Sequence, residues 1–227
     1  MNNCPICNFK GTFKNYRGRR AAYCPKCGAL ERHRLMWLFF HERTNLFDGQ
    51  PKRLLHMAPE PCFRHRIPHF PYIDYLTGDL NPKAAKAKEK INLCAIHKPS
   101  EHFDVMYCSH ILEHIHDDGK AVSEIYRVLR PGGWAVLQVP LAMGVHTRYN
   151  PKIRTPQARK REYGQHNHVR QYGSLDYANV LAKPGFQVEQ VSFAAEWDQE
   201  KVSKFGVSRH EVVHLCTKPL LLPQGSL

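Results

Sequence analysis

Four cysteines carry the plainest chemistry in the chain. They stand as two pairs, Cys4-Pro-Ile-Cys7 and Cys24-Pro-Lys-Cys27, with sixteen residues between the pairs. Each Cys-x-x-Cys can close as a tight knuckle that aims two thiolates at one ion. Two knuckles supply the four soft ligands of a tetrahedral zinc site. Asn8 and Gly28 follow the second cysteine of each pair, where a knuckle needs positive φ, and these residue types tolerate it best. A redox pair would ask for one Cys-x-x-Cys at a strand-to-helix junction, and a reducing compartment argues against disulfides. Cys62, Cys94, Cys108 and Cys216 lie singly and read as thiols outside the ligand set.

Histidines form two further constellations. His110-Ile-Leu-Glu113-His114 fits the H-x-x-E-H pattern, which on a helix places two histidines on one face beside a carboxylate. Here the motif directly follows a strand-like apolar run, which argues against a zinc peptidase. The second cluster is Gly164-Gln-His166-Asn-His168-Val-Arg170-Gln-Tyr172. Three readings of it stand side by side: substrate recognition by His166, His168 and Arg170, a simple polar loop, or a second metal site with two good ligands. Tyr163 and Tyr172 could stack on a planar acceptor or simply pack.

The elements around these residues can be read from apolar patterning. Phe9 to Tyr16, between the cysteine pairs, alternates aromatic and polar residues as a short hairpin would. Ala29 to Phe47 has Leu30, Leu35, Leu38 and Phe39 at near-helical spacing, and Asp48-Gly49-Gln50-Pro51 ends it. Short apolar runs then alternate with amphipathic ones. Strands are expected at Arg53–Met57, Tyr72–Thr77, Lys90–Cys94, Phe103–Cys108, Trp134–Val139, Phe186–Val191 and Glu211–Cys216. A helix is expected from Asp118 to Leu129, stopped by Pro131-Gly132-Gly133. Alternation of this kind implies an α/β fold, a doubly wound, mainly parallel sheet covered on both faces. Ligands of such sheets sit at the carboxyl ends of the strands. The division expected is a metal module over 1–30, a linking helix over 31–50 and an α/β domain over 51–227.

The run Phe103-Asp-Val-Met-Tyr-Cys-Ser-His-Ile-Leu-Glu-His-Ile115, followed by Ile125-Tyr-Arg-Val-Leu-Arg-Pro-Gly-Gly-Trp134, closely resembles class I S-adenosylmethionine-dependent methyltransferases of the type 11 kind. The amino-terminal module resembles a zinc ribbon. The first resemblance covers roughly residues 51 to 217 and implies a Rossmann-like fold with S-adenosyl-L-methionine as methyl donor. It assigns Met57, Ala58, Pro59 and Glu60 to the first donor loop, Asp79 to the ribose, Asn92 and Leu93 to the adenine edge, and Cys108, Ser109 and His110 to the floor near the methyl group. The first loop departs from the family. Ala58 and Glu60 replace the two expected glycines, and Pro59 and Pro61 each remove a backbone donor. Glu60 could instead accept from the ammonium of the donor. No Asn/Asp-Pro-Pro-Tyr tetrad follows the fourth strand, since Cys108-Ser-His-Ile111 stands there, which argues against exocyclic-amine base methylation.

Methyl transfer mainly needs orientation, because the leaving group is neutral. His110 and His166 are the candidate general bases, with unperturbed pKa values near neutrality. The insertion after the fifth strand, from His146 to Tyr172, is expected to close over the donor pocket as an acceptor lid.

Charge narrows the acceptor. The chain has 227 residues, with 33 Lys and Arg against 20 Asp and Glu and a formal net charge of +13. That balance favours an anionic acceptor, nucleic acid among them. The excess lies in two blocks, one within the first 34 residues and one from Arg148 to Arg170. Three functions follow: methylation of RNA or another anionic substrate, methylation of a small molecule or sugar with the ribbon as a structural cap, or a degenerate domain that binds without catalysis. No apolar run approaches the roughly 20 residues of a membrane span. The first residues lack a basic start and an apolar core, so no secretory signal is expected and the cytoplasm is the expected compartment.

Overall fold

The computed structural model describes residues 1–220. Its centre is a seven-stranded sheet. The strands are β1 (Lys52–Met57), β2 (Ile73–Asp79), β3 (Glu89–Lys90), β4 (Phe103–Ser109), β5 (Leu129–Gln138), β6 (Gln187–Val191) and β7 (Val213–Thr217). Their order across the sheet is β6-β7-β5-β4-β1-β2-β3. β7 runs antiparallel to both β5 and β6, and the other neighbours are parallel. The order reverses between β1 and β4, so the exits of these two strands diverge and leave a crevice at their carboxyl ends.

Side chains of period two divide the apolar residues of each strand between two cores. On β4, Met106 and Cys108 join Leu55, Met57, Ala135 and Leu137 in one core. It is closed by helices α2 (Asp118–Val128) and α4 (Tyr177–Ala182). Val105 and Tyr107 face the other way, with Leu54, Trp134 and Val136. That second core is closed by α1 (Glu31–Arg43), by Phe193 and Val207, and by Cys4, Ile6 and Phe13 of the amino-terminal module. The first thirty residues are therefore continuous with the sheet's own packing.

Arg34 of α1 fixes this junction. It is fully buried, donates from Nη1 to Ala22 O (3.0 Å) and Ala29 O (2.7 Å), and from Nε to Phe205 O (2.7 Å) and Nη2 to Gly206 O (2.5 Å). Its guanidinium also lies 4.1 Å from the centre of the Phe13 ring. Phe205 ends α5 (Gln199–Phe205), so one side chain ties the first module to the last helix.

Several boundaries differ from those read in the sequence. α1 spans Glu31–Arg43, not Ala29–Phe47. The segment Phe9–Tyr16 is split between two ladders. Lys10–Gly11 pairs with Asn2–Asn3, and Lys14–Tyr16 pairs with Arg19–Tyr23 across a turn in which Arg17 and Gly18 both take positive φ. β3 holds only Glu89 and Lys90 where Lys90–Cys94 was expected; Asn92 Oδ1 accepts from the Cys94 amide and turns the chain away from the sheet. Pro131-Gly132-Gly133 does not separate helix from strand. The helix ends at Val128, and β5 starts at Leu129 with a register shift opposite Phe103–Val105. Gly132 at φ +75° and the close approach of Gly133 to Asp104 O let the chain pass this irregularity.

The insertion after β5 is ordered around its own small sheet. Arg170–Gly173 pairs in parallel with Leu141–Ala142 and antiparallel with Arg148–Tyr149. Helix α3 (Pro156–Tyr163) is capped by Thr155 and stopped by Gly164 in the left-handed region. No described helix is long and apolar enough to cross a membrane.

Candidate active site

The crevice between β1 and β4 contains a cavity of about 290 Å³. Met57 and Ala58 reach it from the end of β1, Asp79 from the end of β2, Asn92 and Leu93 from the segment after β3, and His110 and His114 from the exit of β4. Leu80, Ile91, Ile111 and Ile115 complete an apolar slot suited to a flat ring. Both strand exits hold a non-glycine residue in the left-handed region, Ala58 at φ +46° and His110 at φ +57°. Strain of this kind persists only where surrounding contacts enforce it. The Ala58 amide donates to Gly78 O (2.8 Å), and the His110 amide donates to Gln138 O (2.8 Å). Gly78 matters at the floor, where a Cβ would stand 2.6 Å from Ile91 Cδ1 and 2.9 Å from Met57 Sδ.

Asp79 lines this cavity and also makes an Asx turn, its Oδ1 accepting from the Asn81 amide at 2.6 Å. The two readings of this residue are compatible, because a carboxylate has a second oxygen. Pro59, Glu60, Cys108 and Ser109, grouped with the donor loop and floor in the sequence, lie outside the cavity wall. Cys108 is buried in the helix-side core, and that enclosure pushes its thiol pKa well above the ordinary value. Glu60 faces the opposite core. His56 Nε2 donates to its Oε2 at 2.6 Å, His33 Nε2 is 3.9 Å from Oε1, and Tyr75 Oη is 2.8 Å from His56 Nδ1. Burial raises the carboxyl's pKa, but the hydrogen bond and charge of His56 outweigh it and hold Glu60 at about 2. Burial depresses His33 to about 4. This His33–Glu60–His56–Tyr75 group carries no legible signal in the sequence, since its members come from a helix, two strands and a loop.

His110 has a second neighbourhood. It lines a larger cavity of about 500 Å³ together with Arg19, Arg32 and Leu35 from the amino-terminal side, Met143 after β5, and His210 before β7. His110 is the one residue shared by the walls of the two cavities. Its Nδ1 lies 3.5 Å from Glu113 Oε1. Leu112–His114 forms a single 3₁₀ turn, so His110 and His114 do not share a helix face as a peptidase motif would require.

The insertion docks on the β4 exit, and His146–Tyr172 lines neither cavity. The Val169 amide donates to Glu113 O (2.9 Å), Arg170 pairs with Asp118 (2.5 Å) and donates to Ile115 O and His116 O, and the Tyr172 hydroxyl donates to Asp118 at 2.6 Å. Arg170 and His168 are thus buried within the fold, Tyr163 and Tyr172 are packed, and His166 is exposed. The exposed members of the second basic block, among them Arg148, Lys152, Arg154 and Lys160, lie on the outside of the insertion.

The four cysteines converge in the amino-terminal module, where Cys7 and Cys27 face Pro61 and Cys62 of the segment after β1. One sulfur of each lies within 4.8 Å of all the others, with Cys4–Cys27 and Cys7–Cys24 separations of 3.6 Å. A tetrahedron with metal–sulfur bonds of about 2.3 Å has edges of about 3.8 Å. Asn8 (φ +57°) and Gly28 (φ +74°) take the left-handed conformation at the knuckles, and their amides donate to Cys4 O and Cys24 O at 2.9 Å.

Comparison with known proteins agrees with this geometry. A protein from Mycolicibacterium smegmatis, named a probable S-adenosylmethionine-dependent methyltransferase, is 29% identical over 102 residues. The match covers 43% of this chain and 34% of that relative, so the chain spans about a third of its length. Among solved structures, the [4+2]-cyclase SpnF is similar with a TM-score of 0.52 at 16% identity, over 92% of this chain and 87% of that one. An S-adenosylmethionine-dependent methyltransferase from Mesorhizobium loti is similar with a TM-score of 0.50 at 16% identity, over 74% of this chain and 90% of that one. Likeness at that identity shows the fold, and a cyclase among the neighbours shows that the fold alone does not fix the reaction. The sequence over residues 66–191 matches a family described as Methyltransferase domain. That stretch is more than half of the chain and holds most of the cavity's walls, and the chain belongs to this methyltransferase domain family.

Proposed function

We propose that the protein transfers a methyl group from S-adenosyl-L-methionine to an acceptor that reaches His110 from the larger cavity. The observation that carries this reading is the pair of cavities meeting at His110. The smaller one suits the donor. Asp79 offers a free carboxylate oxygen to the ribose hydroxyls, the isoleucines and Leu93 offer an apolar slot to the adenine, and Ala58 leaves little side chain between the donor and the backbone. When bound, the donor supplies an electrophilic methyl on a sulfonium centre.

The chain's own residues then orient and deprotonate. The acceptor's lone pair forms the new bond to the methyl carbon, the carbon–sulfur bond breaks, and its electron pair stays on sulfur. His110 is placed to take the acceptor's proton where there is one. Arg19, Arg32 and His210 favour an acceptor with an anionic or hydrogen-bonding group, while Leu35 and Met143 suit an apolar body. That mixture supports a small polar acceptor over a long nucleic acid. His168 and Arg170 support the insertion's docking in this reading rather than acceptor contact, and His166 is exposed on the insertion away from both cavities.

The four thiols suit zinc by their donor set and spacing. The metal would hold the ribbon in place as a structural cap, one wall of the acceptor cavity. Free thiols across the described chain fit a cytoplasmic setting.

Calorimetry with S-adenosylhomocysteine tests the donor site, and Met143→Trp tests the acceptor side. The variant should leave S-adenosylhomocysteine affinity within twofold of wild type and reduce methyl transfer in an acceptor screen. Absence of S-adenosylhomocysteine binding by the wild-type protein would refute the reading.

A further inference from the structure

The rim of the donor cavity holds a second group of metal-ligating side chains. Glu113, His114 and His168 each bring one ligand atom within 4.8 Å of the other two. Glu113 and His114 come from the β4 exit, and His168 comes from the insertion that docks on it. The backbone bond from Val169 N to Glu113 O (2.9 Å) fastens the two segments at this point.

The hydrogen bonds fix which atoms are free. His114 Nδ1 lies 3.1 Å from Asn167 O, and His168 Nδ1 lies 3.2 Å from Tyr163 O. A carbonyl oxygen only accepts, so both Nδ1 atoms carry the proton, and in the neutral rings each Nε2 keeps its lone pair. Histidines that ligate metals are held in this way, with the other ring nitrogen donating to a carbonyl or carboxylate. The rings stand edge to face with centroids 4.8 Å apart. Glu113 is 1% exposed, and its Oε2 is buried without a hydrogen-bond partner. A buried carboxylate oxygen left unpartnered costs free energy, and a cation would satisfy it.

We propose that Glu113, His114 and His168 bind one divalent transition-metal ion at the rim of the donor cavity. Two imidazoles and one carboxylate, with the remaining positions open, suit Zn²⁺, Fe²⁺, Mn²⁺ or Co²⁺. Ligand bonds of about 2.0–2.2 Å place ligand atoms roughly 3–3.5 Å apart. The half-buried His114 ring can close the difference by a small rotation. His114 also lines the donor cavity, so the ion would sit at the edge of that cavity.

The role of the ion rests on the methyltransferase reading. An acceptor hydroxyl bound to it loses its proton more readily. The proton passes to His110, the oxygen lone pair forms the bond to the methyl carbon, and the carbon–sulfur pair leaves on sulfur. The acceptor class is then a hydroxyl compound.

The test uses full-length protein with zinc already at the four cysteines. Mn²⁺ is titrated and followed by electron paramagnetic resonance, and S-adenosylhomocysteine binding is measured by calorimetry on the same samples. Wild-type protein should take up a single Mn²⁺. Glu113→Gln, which keeps the shape of the side chain, and His114→Gln, at a half-buried position, should each weaken Mn²⁺ by more than about tenfold. Glu113 lines neither cavity, so Glu113→Gln should retain near-wild-type S-adenosylhomocysteine affinity, and an unchanged urea midpoint certifies the fold of both variants. The proposal is overturned if wild type binds none of Mn²⁺, Fe²⁺, Co²⁺ or Zn²⁺ beyond the cysteine site, or if a folded variant binds Mn²⁺ as wild type does. Metal uptake without S-adenosylhomocysteine binding would refute the donor site and leave the metal site standing; the converse would do the opposite.

Discussion

Asp79 has a turn to hold and a proposed ligand to bind, and substitutions can tell the two apart. Its Oδ1 accepts from the Asn81 amide and shapes the turn after β2, while the residue also lines the cavity proposed for the donor. Asp79→Asn keeps an oxygen for the turn but loses the charge and one acceptor. Asp79→Ala loses everything. A charge-assisted hydrogen bond contributes about 1.5–3 kcal/mol. Asp79→Ala should therefore weaken S-adenosylhomocysteine by roughly ten- to 150-fold. Asp79→Asn should fall between wild type and Ala, because an amide can still accept from one ribose hydroxyl. The turn itself is local and partly exposed, so urea midpoints should shift little in the Asn variant. Calorimetry at pH 7 with matched urea titrations gives both quantities. If Asp79→Asn bound S-adenosylhomocysteine as tightly as wild type does, the reasoning that places the ribose at β2 would be refuted.

Three other outcomes follow from the packing. Arg34→Met keeps much of the volume but takes the guanidinium from four backbone carbonyls, of which Ala29 O keeps the Cys24 amide, so it should lose at least about 3 kcal/mol in urea unfolding at about 1–3 kcal/mol per buried acceptor left unsatisfied; a loss below about 1 kcal/mol would show that water replaces the guanidinium. Ala58→Gly should relieve left-handed strain of about 1–2 kcal/mol, part of which glycine's greater unfolded-state freedom offsets, leaving a small gain in thermal midpoint; a lower midpoint would mean the alanine methyl is needed for packing. Burial depresses His33 and His214 to about 4, so the unfolded chain binds protons that the folded chain refuses as pH falls from about 6.5 towards 4. Stability should decline through that window, by about 1–2 kcal/mol per histidine at pH 5, and His214→Phe should flatten the decline. An unchanged slope in that variant would count against the assignment.

The parts of the molecule that sequence alone reveals are those whose physics is local. Buried parallel strands write continuous apolar runs, so β1, β4 and the later half of β5 stand out. The cysteine knuckles announce themselves through spacing and through Asn8 and Gly28. Asp79 is placed by the strand before it. What stays hidden is what depends on distant pieces meeting. The larger cavity takes Arg19, Arg32, Met143 and His210 from four separate segments. Arg170 reads in sequence as a substrate-recognition candidate within a basic block, yet the docking of the insertion buries it against Asp118. Glu60 sits in a loop aligned with the donor site, but a histidine on the preceding strand draws it to the far core.

Synthesis order gives the Arg34 clamp a further meaning. Ala22 and Ala29 leave the ribosome early, whereas Phe205 and Gly206 are made 171 and 172 residues after Arg34. Until then, the first module lacks this tie and leans on α1, on earlier core partners such as Cys62 and Phe63, and on whatever its four thiolates hold, because a unit this small buries too little apolar surface to fold alone. Closing so long a loop is slow, and the unfinished face of α1, with Phe39 awaiting Phe193, stays open during translation. Early capture of metal would give the nascent chain a folded anchor through that interval. Zinc starvation should then appear first as loss of newly made protein to proteolysis and aggregation, with molecules already folded comparatively spared.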